Sequence, residues 1–217
     1  MTESNPKKTN PVSDNNSHTI EYLSIKALRS THPEVRRLKR NQSIHSAHGN
    51  KVWRSSFVLM DYLTTYPPKP KARVLDVGCG WGLTSIFLAK QFGADVTAID
   101  IDPGVEPFLQ LQARINNCLI RFEEARFEDF THEDLARFHT IVAADICFWD
   151  EMVHPLKDFI YRALEAGVKQ IYIADPGRPP YWELCDYCVQ AFDAEIVTRR
   201  IYKPWKTEKF ILSINRQ

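Results

Sequence analysis

The chain has 217 residues, 44% of them hydrophobic, and its 28 Lys and Arg against 27 Asp and Glu leave a formal net charge of +1. That length suits one domain plus a tail, with enough chain to bury a core without staples, and the near-neutral charge gives no reason to expect nucleic acid or a membrane as partner. No apolar run reaches the roughly 20 residues of a membrane span, the polar stretch Met1 to His18 lacks a signal-peptide core, and five scattered cysteines fit reduced thiols, so the expected location is the cytoplasm.

Residues 1–18 are rich in Asn, Ser, Thr, Lys and Pro. They offer too little apolar surface to offset ordering entropy, which predicts a disordered tail. Residues 19–68 are read as a helical extension. Its first two helices are expected within Ile20 to Leu28 and Pro33 to Arg40, the second capped by Thr31 ahead of Pro33. The cations Arg36, Arg37, Lys39 and Arg40 have two readings, a solvated helix face or a surface for an acidic partner. A third helix is expected from near Trp53 to just before Pro67-Pro68, where proline removes a donor and clashes with the preceding turn.

From residue 69 to 217 strands and helices alternate. Short strands are expected at Arg73 to Val77, Asp95 to Ile99, Leu119 to Glu123, Thr140 to Ala144 and Gln170 to Ala174. Strand–helix alternation implies parallel strands joined by crossovers. Val153, Leu156, Ile160 and Leu164 form a helical stripe stopped by Gly167, and Trp182, Cys185, Val189 and Phe192 form another. Glu195 to Ile201 and Lys209 to Ile214 are joined too closely for a crossover helix, so that pair is expected to be antiparallel. The fold class is α/β: a Rossmann-like, seven-stranded, mostly parallel sheet with helices on both faces, an antiparallel C-terminal pair and the N-terminal extension.

The strongest chemical signal is Val74-Leu75-Asp76-Val77-Gly78-Cys79-Gly80-Trp81-Gly82, an apolar strand running into a glycine turn before a helix near Leu83. Glycines allow a sharp turn and close ligand approach. Asp100 ends a second strand about 20 residues on, where dinucleotide folds keep a carboxylate for ribose hydroxyls. A dinucleotide fingerprint would need glycine at position 83, where Leu83 stands. Asp76 would also oppose a pyrophosphate, whereas it suits a ligand carrying an ammonium and a sulfonium.

This segment resembles motif I of the class I S-adenosylmethionine-dependent methyltransferases, and the resemblance spans Lys71 to Arg216. It implies S-adenosylmethionine as cofactor and S-adenosylhomocysteine as product. Asp76, Gly78 and Gly80 would line the methionine end, with Cys79 in the same loop. Asp100, with Ile101 beside it, would hold the ribose. Phe127 matches the region that packs on adenine; core packing is its alternative, with Arg126 or Glu128 as the contact instead.

A narrower resemblance joins Gly49-Asn50-Lys51-Val52-Trp53, Asp145-Ile146-Cys147-Phe148 and Asp175-Pro176-Gly177-Arg178. These look like segments of the methyltransferase-like protein lysine methyltransferases, the last like the branch acting on the electron-transfer flavoprotein β-subunit. Phe148 stands where tyrosine is commoner in that pattern. Asp145, at the carboxyl end of a parallel strand, is the candidate to orient an acceptor amine and also to touch the cofactor; a helix N-cap is its plainer role. Phe148 and Trp149 could wall an alkylammonium channel. Trp53 is either a cofactor-site or a core residue.

No metal site is expected. Cys185 and Cys188 lie in a helical pattern without further ligands, and His45 and His48 read as loop residues. The expected activity is N-methylation of a protein lysine. The alternatives are a small-molecule methyltransferase and a non-catalytic cofactor-binding regulatory protein. The sequence leaves the acceptor, the number of methyl groups and the oligomeric state open.

Overall fold

A computed structural model of the chain describes residues 18–41 and 51–216. The expected tail before His18, and His45, His48, Gly49 and Asn50, lie outside the described residues. Seven strands form one sheet, and a separate hairpin precedes it.

The central strands are β3 (Arg73–Val77), β4 (Asp95–Asp100), β5 (Arg121–Glu124), β6 (Thr140–Ala144) and β7 (Gln170–Asp175). β8 (Glu195–Ile201) and β9 (Thr207–Asn215) complete the sheet in the order β5-β4-β3-β6-β7-β9-β8. β9 is antiparallel to both its neighbours, and every other pairing is parallel. Only β9 is therefore reversed, as the short link after β8 requires.

Side chains alternate across the sheet with period two. Val74, Val96, Val142 and Ala174 face one core, covered by α2 (Arg54–Thr65) and α3 (Leu83–Phe92). Leu75, Ile99, Ile141 and Ile173 face the other, covered by α6 (Val153–Glu165) and α7 (Pro179–Phe192). Helices on both faces bury the parallel strands, which explains their near-continuous apolar character. Helices α1 (Pro33–Asn41) and α4 (Glu106–Ile115) flank the first face, and a single turn, α5 (His132–Leu135), precedes β6.

Four local expectations need correction. Ile20 to Leu28 is not a helix but a hairpin of β1 (Thr19–Tyr22) and β2 (Ile25–Leu28). Its two-residue turn has Leu23 and Ser24 at φ of 49° and 63°, a geometry usually signalled by Asn-Gly. Gln112 of α4 and Asn116, the residue that ends it, give β2 its outer partners: each side-chain amide both accepts from and donates to the backbone, Gln112 at Leu28 and Asn116 at Lys26, over 2.7–2.9 Å. The residue before α1 is His32, not Thr31. The Glu34 N–H donates to His32 Nδ1, whereas Thr31 bonds His18.

β5 begins at Arg121 rather than Leu119, because the end of α4 unwinds through Asn117 (φ 55°) and Cys118, whose N–H returns to Ala113. The buried stripe of α7 is Tyr181, Leu184, Cys185 and Cys188. Trp182 sits at the margin against Phe210 of β9, and Val189 is 42% exposed. Cys185 and Cys188 are core residues, and no group of metal-ligating side chains occurs among the described residues. No helix there is long and apolar enough to cross a membrane.

Candidate active site

β3 lies between β4 and β6, so strand order reverses around it. In open α/β sheets ligands bind at such a switch point, beyond the carboxyl ends of the strands. A cavity of about 480 Å³ opens there, lined by the loops after β3, β4, β5 and β6 and by the residues leading into α2. Its size lies in the range of small-molecule sites.

The loop after β3 turns through Gly78, Gly80 and Gly82, with φ of 64°, 51° and 72°. Positive φ disfavours any side chain. A Cβ on Gly78 would stand 2.7 Å from Ile146 Cγ2, so glycine is needed for the β3 and β6 loops to touch. Around Gly80 nothing lies within 4 Å of such a Cβ, leaving its backbone open to the cavity.

Asp100 ties this loop to the end of β4. One carboxylate oxygen accepts from Gly80 N–H and the other from Asp102 N–H, both at 3.0 Å. Burial pushes its carboxyl upward, opposed by these backbone N–H groups. Asp102 turns the chain by accepting from Gly104 N–H at 2.8 Å. Ile101, between them, lines the cavity and is 60% exposed; the buried Phe127 lines it from the β5 side. Phe127 also packs on Phe159 at 5.3 Å, so it belongs to the core as well as to the cavity wall. Arg126 and Glu128 pair with each other at 2.9 Å on the same rim.

Asp76 behaves differently from the other loop residues. It shares the α3 face of β3 with Val74, is buried, and accepts from Ser85 Oγ at 2.5 Å. Burial pushes its carboxyl up to about 7, against the lowering effect of Ser85. It lies beneath the loop, and Val77 rather than Asp76 appears in the cavity wall. Burial, then the Asp76 and Asp100 carboxylates, push the Cys79 thiol well above its ordinary range. A protonated thiol is a poor nucleophile.

The opposite wall is aromatic. Trp53 meets Phe148 edge-on at 5.5 Å, and Phe148 lies 5.6 Å from Trp149. Lys51 carries its ammonium 4.3 Å from the Trp53 ring centre. Asp145 has φ of 59°, and its N–H is tied to Ala174 O at the end of β7. It caps no helix, since the next helical turn begins at Asp150 after Trp149.

Arg178 organises this wall from behind. Its guanidinium bonds Asp145 Oδ1 at 3.0 Å and Asp175 Oδ2 at 2.6 Å, and lies 4.2 Å from the Phe148 ring centre. Asp175 also accepts from the Gly177 and Arg178 N–H groups at 2.9 Å. The structure thus gathers Trp53, Gly78, Cys79, Gly80, Asp100, Ile101, Phe127, Asp145 and Phe148 around one cavity and leaves Asp76 below it. Sequence reasoning missed Asp102, Ile146 and the role of Arg178. Asp102-Pro103-Gly104 carried a readable turn signal; Ile146 carried none.

The cradle fits an adenosyl cofactor: open backbone at Gly80, a carboxylate for hydroxyl groups and apolar faces for a base. Residues 74–167 match the family model described as a methyltransferase domain. A ubiquinone biosynthesis O-methyltransferase from Xylella fastidiosa (strain 9a5c) is 38% identical over 89 residues, which are 41% of this chain and 36% of that protein. The match therefore spans little more than a third of that relative. The crystal structure of a magnesium protoporphyrin IX methyltransferase from Synechocystis PCC 6803, solved with bound SAM, superposes with a TM-score of 0.59 at 16% identity. It covers 87% of this chain and 94% of that one. A precorrin-6y C5,15-methyltransferase from Geobacter metallireducens GS-15 gives 0.59 at 11% identity, covering 80% and 94%. The chain shares its fold with these two methyltransferase structures.

Proposed function

We propose that the chain is an S-adenosylmethionine-dependent methyltransferase acting on nitrogen, with a protein lysine as acceptor. The observation that carries the reading is the meeting of the glycine loop, Asp100 and the Asp145–aromatic wall on a single cavity. Gly78, Cys79 and Gly80 would hold the methionine end, Asp100 the ribose hydroxyls, and Ile101 and Phe127 the base. The cofactor supplies a methyl group already activated on a sulfonium.

The chain's own contribution is then orientation, which can supply about 7–11 kcal/mol of barrier reduction in favourable systems. Trp53, Phe148 and Trp149 offer flat apolar faces to an alkylamine stem. The ion pair with Arg178 runs through Asp145 Oδ1, and the carboxylate would accept from the amine N–H. The amine loses its proton to water before attack and its second proton afterwards. No histidine lines the cavity among the described residues, and attack by a free-base amine needs none.

A second reading, O-methylation of a small molecule, is favoured by the similarity to ubiquinone biosynthesis O-methyltransferases. Incubation with methyl-labelled cofactor and the host's soluble extract separates the two. Label in proteins, recovered as methyl-lysine after hydrolysis, is expected. Label confined to the small-molecule fraction would give the second reading precedence.

A further inference from the structure

Three segments distant in sequence converge on Phe57 of α2. Tyr22 of the hairpin lies 5.9 Å from its ring, and Trp205, in the link from β8 to β9, meets it edge-on at 5.1 Å. Phe210 of β9 pairs in register with Asp175 at the carboxyl end of β7, so this link belongs to the end of the sheet that carries the cavity. Helical spacing divides the start of α2 between two neighbours. Trp53 and Ser56 line the cavity, whereas Arg54 and Phe57, also three positions apart, face Trp205. A guanidinium therefore stands beside the cavity mouth, on the adjoining face of the same turn.

Two guanidiniums share the Trp205 indole. Arg54 lies 5.2 Å from the ring centre, and Arg29, just after β2, lies 5.9 Å from it. Both residues are exposed, and neither guanidinium forms an ion pair or hydrogen bond among the described residues. Contact with an aromatic face holds a cation without using its N–H donors. The carboxylates on the elements packed around the ring are engaged elsewhere: Asp61 with Arg199 and Tyr22, and Glu208 with Arg200, while Glu21 stands opposite Lys26 across the hairpin. Lys203 and Lys206, in the same link as Trp205, and Lys51, on the cavity wall, are exposed as well. Such a group of cations favours an anionic partner. A chain of net charge +1, with Asp150 and Glu151 exposed beyond Trp149, suits a short acidic patch better than a long polyphosphate. We infer that Arg29 and Arg54, held on Trp205, form a docking clamp for carboxylate side chains of the acceptor protein, so that its target lysine lies next to acidic residues. This rests on the protein-acceptor reading above and adds to it the surroundings of the lysine.

The probe is a fluorescent heptapeptide with three glutamates on each side of one lysine, compared with the same peptide carrying glutamines instead. Anisotropy titrations at low and at physiological salt read its affinity. The wild-type chain is expected to bind the glutamate peptide about tenfold tighter than the glutamine peptide at low salt, and by less at physiological salt. R29Q/R54Q should lose roughly fivefold to tenfold, the scale of two exposed ion pairs, with S-adenosylhomocysteine affinity within about twofold of wild type. K69Q/K90Q removes the same charge at the amino end of the sheet, ahead of β3 and late in α3, and should leave peptide affinity within about twofold. R29Q alone, with a smaller loss, serves if the double variant does not fold. Equal affinity for the two peptides, or equal losses in the two double variants, overturns the inference. So does tighter binding of a single-stranded RNA oligomer that R29Q/R54Q abolishes, which would assign the clamp to phosphates. Peptide binding needs no turnover, so its failure leaves the methyltransferase reading standing. Label confined to small molecules in the extract experiment would overturn the protein acceptor and this inference with it.

Discussion

At the residue scale the two loop carboxylates have opposite tasks. Asp100 faces the cavity and accepts from two backbone N–H groups, which fix the direction of its carboxylate. Asp100→Ala is expected to weaken S-adenosylmethionine binding by about 1.5–3 kcal/mol, the range for hydrogen bonds to a charged group; unchanged affinity would remove Asp100 from the site. Asp145→Asn should leave cofactor affinity largely intact and lower turnover on the order of tenfold to a hundredfold, read by single-turnover kinetics. Asp76 instead makes a stability prediction. Burial raises it to about 7, so the folded chain keeps a proton that the unfolded chain releases above about pH 4. Folded-state stability from this group is therefore lost as pH rises from about 4 to 7, by at most about 1.4 kcal/mol per pH unit. Urea unfolding at pH 4.5 and 6.5 should show this fall in wild type and a flatter response in Asp76→Asn. The strand-end position of Asp76 was legible in the sequence. Its place under the loop was not, because that depends on Ser85 of α3 meeting it across the sheet face.

At the element scale, period and punctuation revealed most of the strands and the α6 stripe, whereas the hairpin was hidden. Ile20 to Leu28 has apolar residues at spacings a helix would also satisfy, and Leu23-Ser24 is not a usual hairpin turn. What decides is tertiary: Gln112, fully buried, both donates to and accepts from Leu28. Gln112→Leu is expected to cost about 1–3 kcal/mol by orphaning those backbone groups, and to raise amide exchange in β1 and β2 ahead of the main sheet. Exchange unchanged in the hairpin would show that its core contacts alone hold it. The glycine loop has a matching requirement. Gly82 has φ of 72°, and a Cβ there would stand 2.7 Å from the buried Leu109. Gly82→Ala should destabilise by about 1–3 kcal/mol, measured by denaturant midpoint.

At the scale of the whole molecule the order β5-β4-β3-β6-β7-β9-β8 puts four loops distant in sequence at one end of the sheet. Alternation alone made a parallel sheet legible, and the glycine turn marked where its switch point would lie. The build of the aromatic wall was less legible. Asp145 and Phe148 stood out as a motif, but their coupling to Arg178 joins the ends of β6 and β7, thirty-three positions apart, through side chains. The central claim is that this end of the sheet binds S-adenosylmethionine. Isothermal titration calorimetry with S-adenosylmethionine, S-adenosylhomocysteine and NAD tests it most directly. Micromolar binding of the first two and none of NAD is the predicted result. A well-folded chain that binds neither adenosyl ligand, or binds NAD in their place, would contradict it.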